Sequence, residues 1–328
     1  MKTIKINYCG FWGSFKETNN FFYNILSRHF TVEISDDPDF VICSNRGRPF
    51  EYMKYDCVRI MFMGENLSPD FTVFDYVIGF DFLDFGDRYF RLPYAFYSDD
   101  GRPGRVKALS RDEARTLLGM KNYFCNFIYG HPSSHGMRER LFEELNKYKH
   151  VVSPGSFLNN VGSGEKRCSR AEKYEYLCRS KFTIAGDSIQ YPGFVTEKIV
   201  APFVFHSIPV YFGSTRIFDD FNRDAFVCCR DENDIDRAVE EVKRLDTDDD
   251  AYIEMLTACP FITENYLVKL YENAESFLVN IFSQDRDTAY RRVRHFCAEQ
   301  HETYLREYMK KNKNGPSLLT KMKRKIRK

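Results

Sequence analysis

The stretch that decides the fold is KFTIAGDSIQYPGFVTEK at residues 181–198, followed by IPVYFG at residues 208–213. It predicts a buried strand, a Gly/Pro turn, the start of a helix and a second buried strand. Glu197 and Lys198 lie in the first turn of that helix. Because the backbone N–H groups at a helix start have no partner within the helix, this turn and its lysine predict an anion site suited to a diphosphate.

The composition favours two α/β domains over one. A chain of 328 residues gives each half enough length to bury its own core. Lys and Arg total 48 against 47 for Asp and Glu, so the net charge of +1 indicates no overall nucleic-acid footprint. Aromatic residues make up 16% of the sequence. They fit core packing, and Phe11, Trp12 and Phe15 could either stack on sugar rings or pack the first helix.

The ten cysteines contain no CxxC pair, and most lie inside apolar, strand-like runs. This pattern favours buried free thiols in a reducing compartment and lacks the closely spaced ligands of a zinc site. The first residues, MKTIKINY, predict a strand rather than a signal peptide. No segment approaches the ~18 consecutive apolar residues of a membrane span. We therefore expect a cytoplasmic protein.

Strand and helix signals alternate in two series along the chain. The predicted strands are Thr3–Cys9, Thr31–Ile34, Phe40–Cys43, Val58–Met63 and Tyr76–Phe80, then Tyr123–Tyr129, Val151–Val152, Phe182–Ala185, Ile208–Phe212 and Ala225–Cys229. A polar, Gly/Pro-rich stretch at Tyr97–Val106 is the linker candidate. We expect an N-terminal domain at residues 1–98, a C-terminal domain at residues 99–300 and a basic tail at residues 301–328.

Two alternating series imply an α/β architecture of two mainly parallel sheets with helices on both faces. Helices are predicted at Asn19–Phe30, Met137–Tyr148, Glu172–Cys178, Thr196–Phe205, Asp234–Leu245, Asp250–Leu256 and Glu264–Phe282. In such sheets, ligands bind at the carboxyl ends of the strands. With two domains facing each other, the expected site is the cleft between them.

The tail carries Leu318, Leu319, Met322 and Ile326 on one helical face, interleaved with Lys and Arg residues. A basic amphipathic helix of this kind can lie on an anionic membrane surface, which would make the protein peripheral on the inner face of the membrane. A disordered or solubilising basic tail has the same composition. The sequence leaves both interpretations open.

Two positions outside the opening stretch carry candidate chemistry. A predicted strand ends in Gly64-Glu65-Asn66, and a carboxylate at the carboxyl end of a buried strand is well placed to act as a general base. Arg138 opens a helix after a His-Pro-Ser-Ser-His-Gly loop, where a guanidinium can clamp phosphates. Each pattern also has an ordinary interpretation, as a solvated glutamate and as an arginine in a surface salt bridge.

The metal-binding patterns are weak. Asp37-Pro38-Asp39 and the acidic run Asp246–Asp250 could mimic an Asp-x-Asp metal motif, but neither ends a buried strand. His131 and His135 are close in sequence but lack a third ligand. We therefore expect no metal site and no resident cofactor.

Two long stretches carry a resemblance to a known family. The first is MFMGENLSPDF at residues 61–71, continuing through FDYVIGF at 74–80 and LDFGDRY at 83–89. The second is the opening stretch with its Thr-Glu-Lys turn. Both resemble the bacterial-type α-1,3-fucosyltransferases of glycosyltransferase family 10, and the resemblance runs from the first strand to about residue 280.

The resemblance implies a GT-B fold of two Rossmann-like domains facing a central cleft, with the acceptor in the N-terminal domain and the donor in the C-terminal domain. It implies inverting, metal-independent transfer of L-fucose from GDP-fucose. The implied oligosaccharide acceptor is an N-acetyllactosamine-type glycan, whose GlcNAc 3-hydroxyl attacks to give a Lewis X-like product. Carried over by position, Glu65 is the general base, and the donor contacts are Arg138, Asp187, Phe194, Glu197 and Lys198.

The chain departs from the family inside the opening stretch. Gly186-Asp187-Ser188-Ile189 stands where the family has Phe-Glu-Asn-Ser, and Phe194 and Phe212 stand where it has Tyr and Trp. Asp187 keeps the charge of the glutamate but is shorter. Two alternatives therefore stay open: a weakly active or inactive GT-B module that binds glycans, and a GT-B enzyme that uses another nucleotide sugar.

Overall fold

The computed structural model describes residues 1–162, 168–293 and 295–311. The membrane-binding face expected at 318–326 lies outside these residues. The strands are β1 (Thr3–Cys9), β2 (Thr31–Ile34), β3 (Phe40–Ser44), β4 (Val58–Phe62), β5 (Tyr76–Gly79), β6 (Tyr89–Arg91), β7 (Tyr123–Asn126), β8 (Val151–Val152), β9 (Ser180–Gly186), β10 (Ile208–Phe212) and β11 (Val227–Cys228).

The helices lie between and after the strands. They are α1 (Phe21–Leu26), α2 (Tyr94–Tyr97), α3 (Arg111–Gly119), α4 (Met137–Tyr148), α5 (Arg170–Arg179), α6 (Glu197–Val204), α7 (Ile235–Thr247), α8 (Asp249–Thr257), α9 (Tyr266–Ser283), α10 (Arg286–Ala289) and α11 (Cys297–Lys311). Short 3-10 helices span Glu51–Lys54, Gly86–Arg88, Ile217–Asp219, Arg223–Ala225 and Glu232–Asp234. The strands and helices form two α/β units, which confirms the predicted fold class.

The chain divides into two compact units. One unit comprises Met1–Leu92 and the described residues from Leu270 onward, and the other comprises Pro93–Lys269. The first boundary falls near the expected position at residue 98. The second differs from the expected boundary at residue 300, because the chain returns to the first unit from within α9.

The sheet of the first unit is entirely parallel, with strand order β2-β1-β3-β4-β5-β6. Every residue of β3 and β4 is buried. Their nearly continuous apolar sequences, FVICS and VRIMF, suit parallel strands that are covered on both faces. The edge strand β6 is new relative to the sequence prediction; it has three residues and no apolar run that would mark it as a strand.

Asp75 explains why the C-terminal segment belongs to the first unit. Its side chain is fully buried. One carboxylate oxygen accepts hydrogen bonds from the backbone N–H groups of Arg291 and Arg292, at 2.8 and 3.0 Å. The other accepts from the backbone N–H of Arg59 at 2.8 Å and from the Arg292 guanidinium. A buried carboxylate needs such partners, so the segment after α10 is fixed where it satisfies this one.

The sheet of the second unit is also parallel, with strand order β11-β10-β9-β7-β8. Apolar side chains of β9, α4 and α7 share one core; examples are Phe182, Ile184, Leu141, Leu145 and Val242. β9 and β10 lie side by side and end at Gly186 and Phe212. The two strands of the opening stretch therefore end together at the carboxyl edge of this sheet, where α6 begins.

Replacing Asp75 by Ala should destabilise the protein strongly, because it leaves the Arg292 guanidinium and three backbone N–H groups without their shared acceptor. We expect a loss of about 3–5 kcal/mol in the free energy of unfolding, measured by urea denaturation. Asp87→Ala is the matched control, since Asp87 pairs with Arg291 at 2.8 Å in a partly exposed position. That change should cost at most about 1 kcal/mol. Equal losses in the two variants would contradict this role of Asp75.

Candidate active site

The start of α6 lies at the carboxyl edge of the second sheet. Thr196 occupies its N-cap position with an extended backbone, but its hydroxyl makes no capping hydrogen bond to the helix. The hydroxyl instead donates to Asp187. The first-turn N–H groups therefore lack the side-chain acceptor that an N-cap threonine normally supplies. An anion placed there would receive both these N–H groups and the positive end of the helix dipole.

Asp187, the first residue after β9, is fully buried. Its carboxylate accepts hydrogen bonds from Thr196 and from the Tyr211 hydroxyl, the latter at 2.9 Å. Burial raises the pKa of this carboxyl from 3.8 to about 6, although the charge of Lys198 and the two hydroxyl donors act against the rise. The structure thus places Asp187 beneath the helix start, holding Thr196 and Tyr211. Direct contact with a donor stays a prediction.

Lys198 and Glu197 lie partly exposed in the first turn of α6. The Lys198 ammonium donates to the Thr196 hydroxyl at 3.1 Å and lies 3.4 Å from the Glu197 carboxylate. Burial alone would lower the pKa of Lys198, but the charges of Glu197 and Asp187 outweigh it and raise the pKa. Burial likewise raises the pKa of Glu197, and the charges of Lys198 and Lys173 lower it by more. Both side chains are therefore ionised at neutral pH, with the ammonium beside the helix start.

Arg138, the second residue of α4, is only 4% exposed. Its guanidinium lies 4.1 Å from the centre of the Tyr129 ring, and it donates to the His131 carbonyl at 3.2 Å. Among the described residues, no acceptor lies within hydrogen-bond distance of its Nε. A buried guanidinium N–H without a protein acceptor is expensive, so this group is suited to a ligand anion.

Tyr129 links the two cations. Its hydroxyl accepts from the Gly186 N–H at 2.8 Å and bonds the Ile184 carbonyl at 2.9 Å. Burial raises the pKa of Tyr129 to about 12, and the positive charges of Arg138 and Lys198 act against that rise. Both cations therefore act on the same hydroxyl, next to the end of β9. The structure places Arg138 close enough to Lys198 for their charges to interact, although the sequence put them on different helices.

Gly186 makes room for Arg138. A Cβ atom on Gly186 would lie 2.5 Å from the Arg138 Cγ, closer than real contacts allow. The aliphatic stem of Arg138 therefore fills the space that a side chain at 186 would need. The substitution of glycine for the family's phenylalanine is thus coupled to the position of a cation in the site.

Phe194 and the residues around it form the support of the site. Phe194 is 5% exposed, so its ring is part of the buried interior, and its role as a donor contact stays a prediction. Ser214 accepts from the Gly193 N–H at 2.8 Å, and its own N–H donates to the Tyr211 hydroxyl at 2.8 Å. Sequence reasoning missed Tyr129, Tyr211 and Ser214. A tyrosine or serine in or next to an apolar strand has the same sequence pattern whether it holds a functional residue in place or only packs in the core.

Glu65 belongs to the first unit and follows β4 through Met63 and Gly64. Its carboxylate lies 2.8 Å from the Arg46 guanidinium, and the two side chains are 30% and 32% exposed. The neighbouring Gly64 N–H donates to the Asn45 side chain at 3.2 Å. The carboxylate is therefore held by an ion pair and partly open to solvent at the carboxyl edge of the sheet. The sequence predicted Glu65 here but not Arg46.

The acidic pairs have structural roles. Asp246 forms ion pairs with Lys149 and Lys181, each at 3.0 Å, and Asp248 caps α8 by accepting from the Ala251 N–H. In the described part of the chain, no group of three or more His, Cys, Asp or Glu side chains could hold a metal ion. Within the same residues, no helix has the length and apolar character needed to cross a membrane.

Two parallel α/β units, one of which carries cations at a helix start, are consistent with a glycosyltransferase of the GT-B class. Two family models match in succession. Residues 6–97 match the "Alpha-(1,3)-fucosyltransferase FucT N-terminal domain", and residues 119–259 match "Glycosyltransferase family 10 (fucosyltransferase) C-term". The chain belongs to glycosyltransferase family 10, the fucosyltransferases, as its sequence resemblance had predicted.

Individual relatives agree with this family. The chain is 31% identical over 309 residues to the alpha-(1,3)-fucosyltransferase FucT of Helicobacter pylori; the match covers 82% of this chain and 63% of that protein. A crystal structure of an alpha1,3-fucosyltransferase with GDP superposes with a TM-score of 0.70 and 28% identity, over 89% of this chain and 93% of that one. Another with GDP-fucose gives a TM-score of 0.66 and 27% identity, over 85% and 91%. The chain thus spans less than two thirds of the length of its Helicobacter relative.

Replacing Asp187 by Asn should remove one source of pH dependence. Because folding raises the pKa of this carboxyl from 3.8 to about 6, the folded state binds the proton more tightly than the unfolded chain. The resulting stabilisation is fully present below about pH 4 and is lost as the pH rises through about 6. Relative to Asp187→Asn, the wild type should lose roughly 3 kcal/mol of unfolding free energy between pH 4 and pH 7.

The measurement is urea unfolding of both proteins across this pH range. Asp219→Asn serves as the control, since Asp219 forms an exposed ion pair with Arg216 in the same unit. A difference between wild type and Asp187→Asn that stays constant with pH would contradict the raised pKa.

Proposed function

We propose that this chain transfers L-fucose, with inversion, from GDP-fucose to the 3-hydroxyl of GlcNAc in N-acetyllactosamine-type glycans, giving a Lewis X-like product. The observations that carry the proposal are the start of α6, where Lys198 lies beside a helix N-terminus without a side-chain cap, and the buried Arg138, whose stem lies against Gly186 at the end of β9. Relatives whose structures are titled with GDP and with GDP-fucose support the choice of nucleotide.

The donor half of the proposal follows from charge. A departing nucleoside diphosphate develops negative charge as its bond to the sugar breaks. Lys198, Arg138 and the N-terminus of α6 are positive groups already fixed in place, so they stabilise that charge without reorganising. GDP-fucose is in this account a substrate, and the proposal assigns no resident cofactor.

Glu65 supplies the proton acceptor. Its carboxylate removes the proton from the acceptor 3-hydroxyl while that oxygen forms a bond to the anomeric carbon of fucose. The bond from the anomeric carbon to the β-phosphate oxygen breaks, and its electron pair leaves with GDP. Attack occurs on the face opposite the leaving group, so the configuration inverts. The protonated Glu65, partly exposed, then returns its proton to water.

Replacing Glu65 by Gln should lower kcat by roughly 10²–10⁴-fold, because the amide cannot accept the proton. GDP binding should remain as in the wild type, since Glu65 is assigned to the acceptor. The measurements are GDP release with GDP-fucose and N-acetyllactosamine, and calorimetric titration with GDP. Glu51→Gln, which neutralises another carboxylate of the same unit, is the control. Near-wild-type turnover of Glu65→Gln would show that Glu65 is not the base.

Replacing Lys198 by Ala should weaken both donor binding and rate, because the ammonium stabilises the diphosphate before and during its departure. We expect kcat/KM for GDP-fucose to fall by roughly 10²-fold or more. Lys147→Ala, which removes an exposed lysine of α4, should leave it unchanged. The assignment of Lys198 fails if the two variants have equal kinetics.

Donor and acceptor identity are tested together. GDP and GDP-fucose should each raise the melting temperature, while GDP-mannose and UDP-sugars should not; stabilisation by UDP compounds would point to another nucleotide sugar. A panel of lactosamine, lacto-N-biose and lactose should show the fastest GDP release with lactosamine. Stabilisation by GDP without GDP release from any acceptor would instead favour a glycan-binding module.

The proposed location is the cytoplasm, with the basic residues at 321–328 on the inner face of the membrane. The support is compositional, since this segment lies outside the described residues. The full chain should sediment with vesicles containing anionic phospholipid, but not with neutral vesicles, and a chain ending at Lys311 should sediment with neither. Equal sedimentation of both chains would contradict the proposal.

A further inference from the structure

Three loops follow neighbouring strands at the carboxyl edge of the first sheet. β1, β3 and β4 are adjacent and parallel, so the residues that follow them lie side by side. Gly10 follows β1, Asn45-Arg46-Gly47 follows β3, and Gly64-Glu65 follows a short extension of β4. The proposed base thus has the loop after β3 as its neighbour.

The loop after β3 is fixed by backbone contacts with Gly10. The Gly10 carbonyl accepts hydrogen bonds from the N–H groups of Arg46 at 3.1 Å and of Gly47 at 2.6 Å. Gly10 has a φ of +72°, and a Cβ atom on it would lie 2.1 Å from the Ser44 carbonyl oxygen. A Cβ on Gly47 would lie 2.4 Å from the Gly10 Cα. Both positions therefore require glycine, and the backbone of Arg46 is held independently of Glu65.

The fixed loop in turn holds the proposed base. The Asn45 side-chain oxygen accepts from the Gly64 N–H at 3.2 Å, and Arg46 lies 2.8 Å from the Glu65 carboxylate. One carboxylate oxygen, Oε1, receives the guanidinium. In the described part of the chain, Glu65 has no second ion-pair partner, and its side chain is 30% exposed. The carboxylate is therefore partly exposed to solvent while one of its oxygens lies against the guanidinium.

We propose that Arg46 is a positioning residue for the reaction: it holds Glu65 by one oxygen so that the other receives the proton of the acceptor hydroxyl. The inference rests on the proposed function. Before transfer, the guanidinium lies against Oε1 of the carboxylate and fixes its orientation. As the proton arrives, the ion pair becomes a hydrogen bond to a neutral acid, and the acceptor oxygen completes its bond to fucose as GDP leaves.

A surface ion pair without this role would behave differently. Exposed pairs contribute about 0–1 kcal/mol to stability, and their loss does not depend on the chemistry of the carboxylate. Arg46 differs from such a pair because its backbone is fixed by two glycines and its partner is the residue assigned to the reaction. Its removal should therefore act on turnover through Glu65.

The test is a double-mutant cycle of Arg46→Met and Glu65→Gln, read by the kcat for GDP release from GDP-fucose with N-acetyllactosamine. Arg46→Met should lower kcat by about 10- to 100-fold, because the base loses the ion pair that orients it, with calorimetric GDP affinity unchanged. In the Glu65→Gln background, Arg46→Met should have no further effect, because the group through which it acts is gone. Arg46→Lys should restore part of the lost turnover.

The control is Arg48→Met, which removes an exposed arginine two residues further along the same loop and should leave kcat unchanged. Additive effects of Arg46→Met and Glu65→Gln would show that Arg46 acts independently of the base, and unchanged turnover of Arg46→Met would show that it does not act at all. Either result overturns the role of Arg46 and leaves the proposed function unaffected. Full turnover of Glu65→Gln would instead overturn the assigned base.

Discussion

The hydrogen bond from Thr196 to Asp187 is the contact on which the proposed donor half of the site depends. A threonine at an N-cap usually satisfies a first-turn N–H, and the loss of that bond costs a helix about 0.5–2 kcal/mol. In this chain the Thr196 hydroxyl donates instead to the fully buried Asp187, and the Tyr211 hydroxyl donates to the other oxygen of the same carboxylate. The helix thus begins without a side-chain cap, beside Lys198 and the end of β9. That loss of capping is consistent with a helix start kept for an anion from outside the chain.

The departures from the family motif at residues 186 and 187 both lie at the end of β9. Glycine at 186 gives the aliphatic stem of Arg138 a place to lie, and the Tyr129 hydroxyl bonds both the N–H and the carbonyl of Gly186. The shorter acid at 187 is fully enclosed by hydroxyl donors. These changes therefore fit one another, and a single reversion at 186 would collide with Arg138. The pattern is consistent with the proposed donor site.

Sequence reasoning succeeded where the signal is local. Apolar runs predicted β9 and β10. The Thr-Glu-Lys turn predicted the start of α6, and the family motif predicted Glu65 after the strand β4. It failed where a contact joins distant segments. Asp75 binds Arg291 and Arg292 more than 200 positions later, so the return of the chain to the first unit could not be predicted from charge or periodicity. Arg46 was missed for the same reason, since an ion pair between two loops leaves no pattern in either one.

The central claim is that the α6 start and Arg138 hold the diphosphate of a guanine nucleotide. Calorimetric titration of GDP into wild type, Arg138→Met and Arg140→Met tests it most directly. Arg140 is the matched control, because it lies on the same helix and forms an exposed ion pair with Glu232 at 3.1 Å. The account predicts at least a tenfold weaker affinity for Arg138→Met, as expected for a lost charge-assisted hydrogen bond, and an unchanged affinity for Arg140→Met. Equal GDP affinities in all three proteins would contradict it.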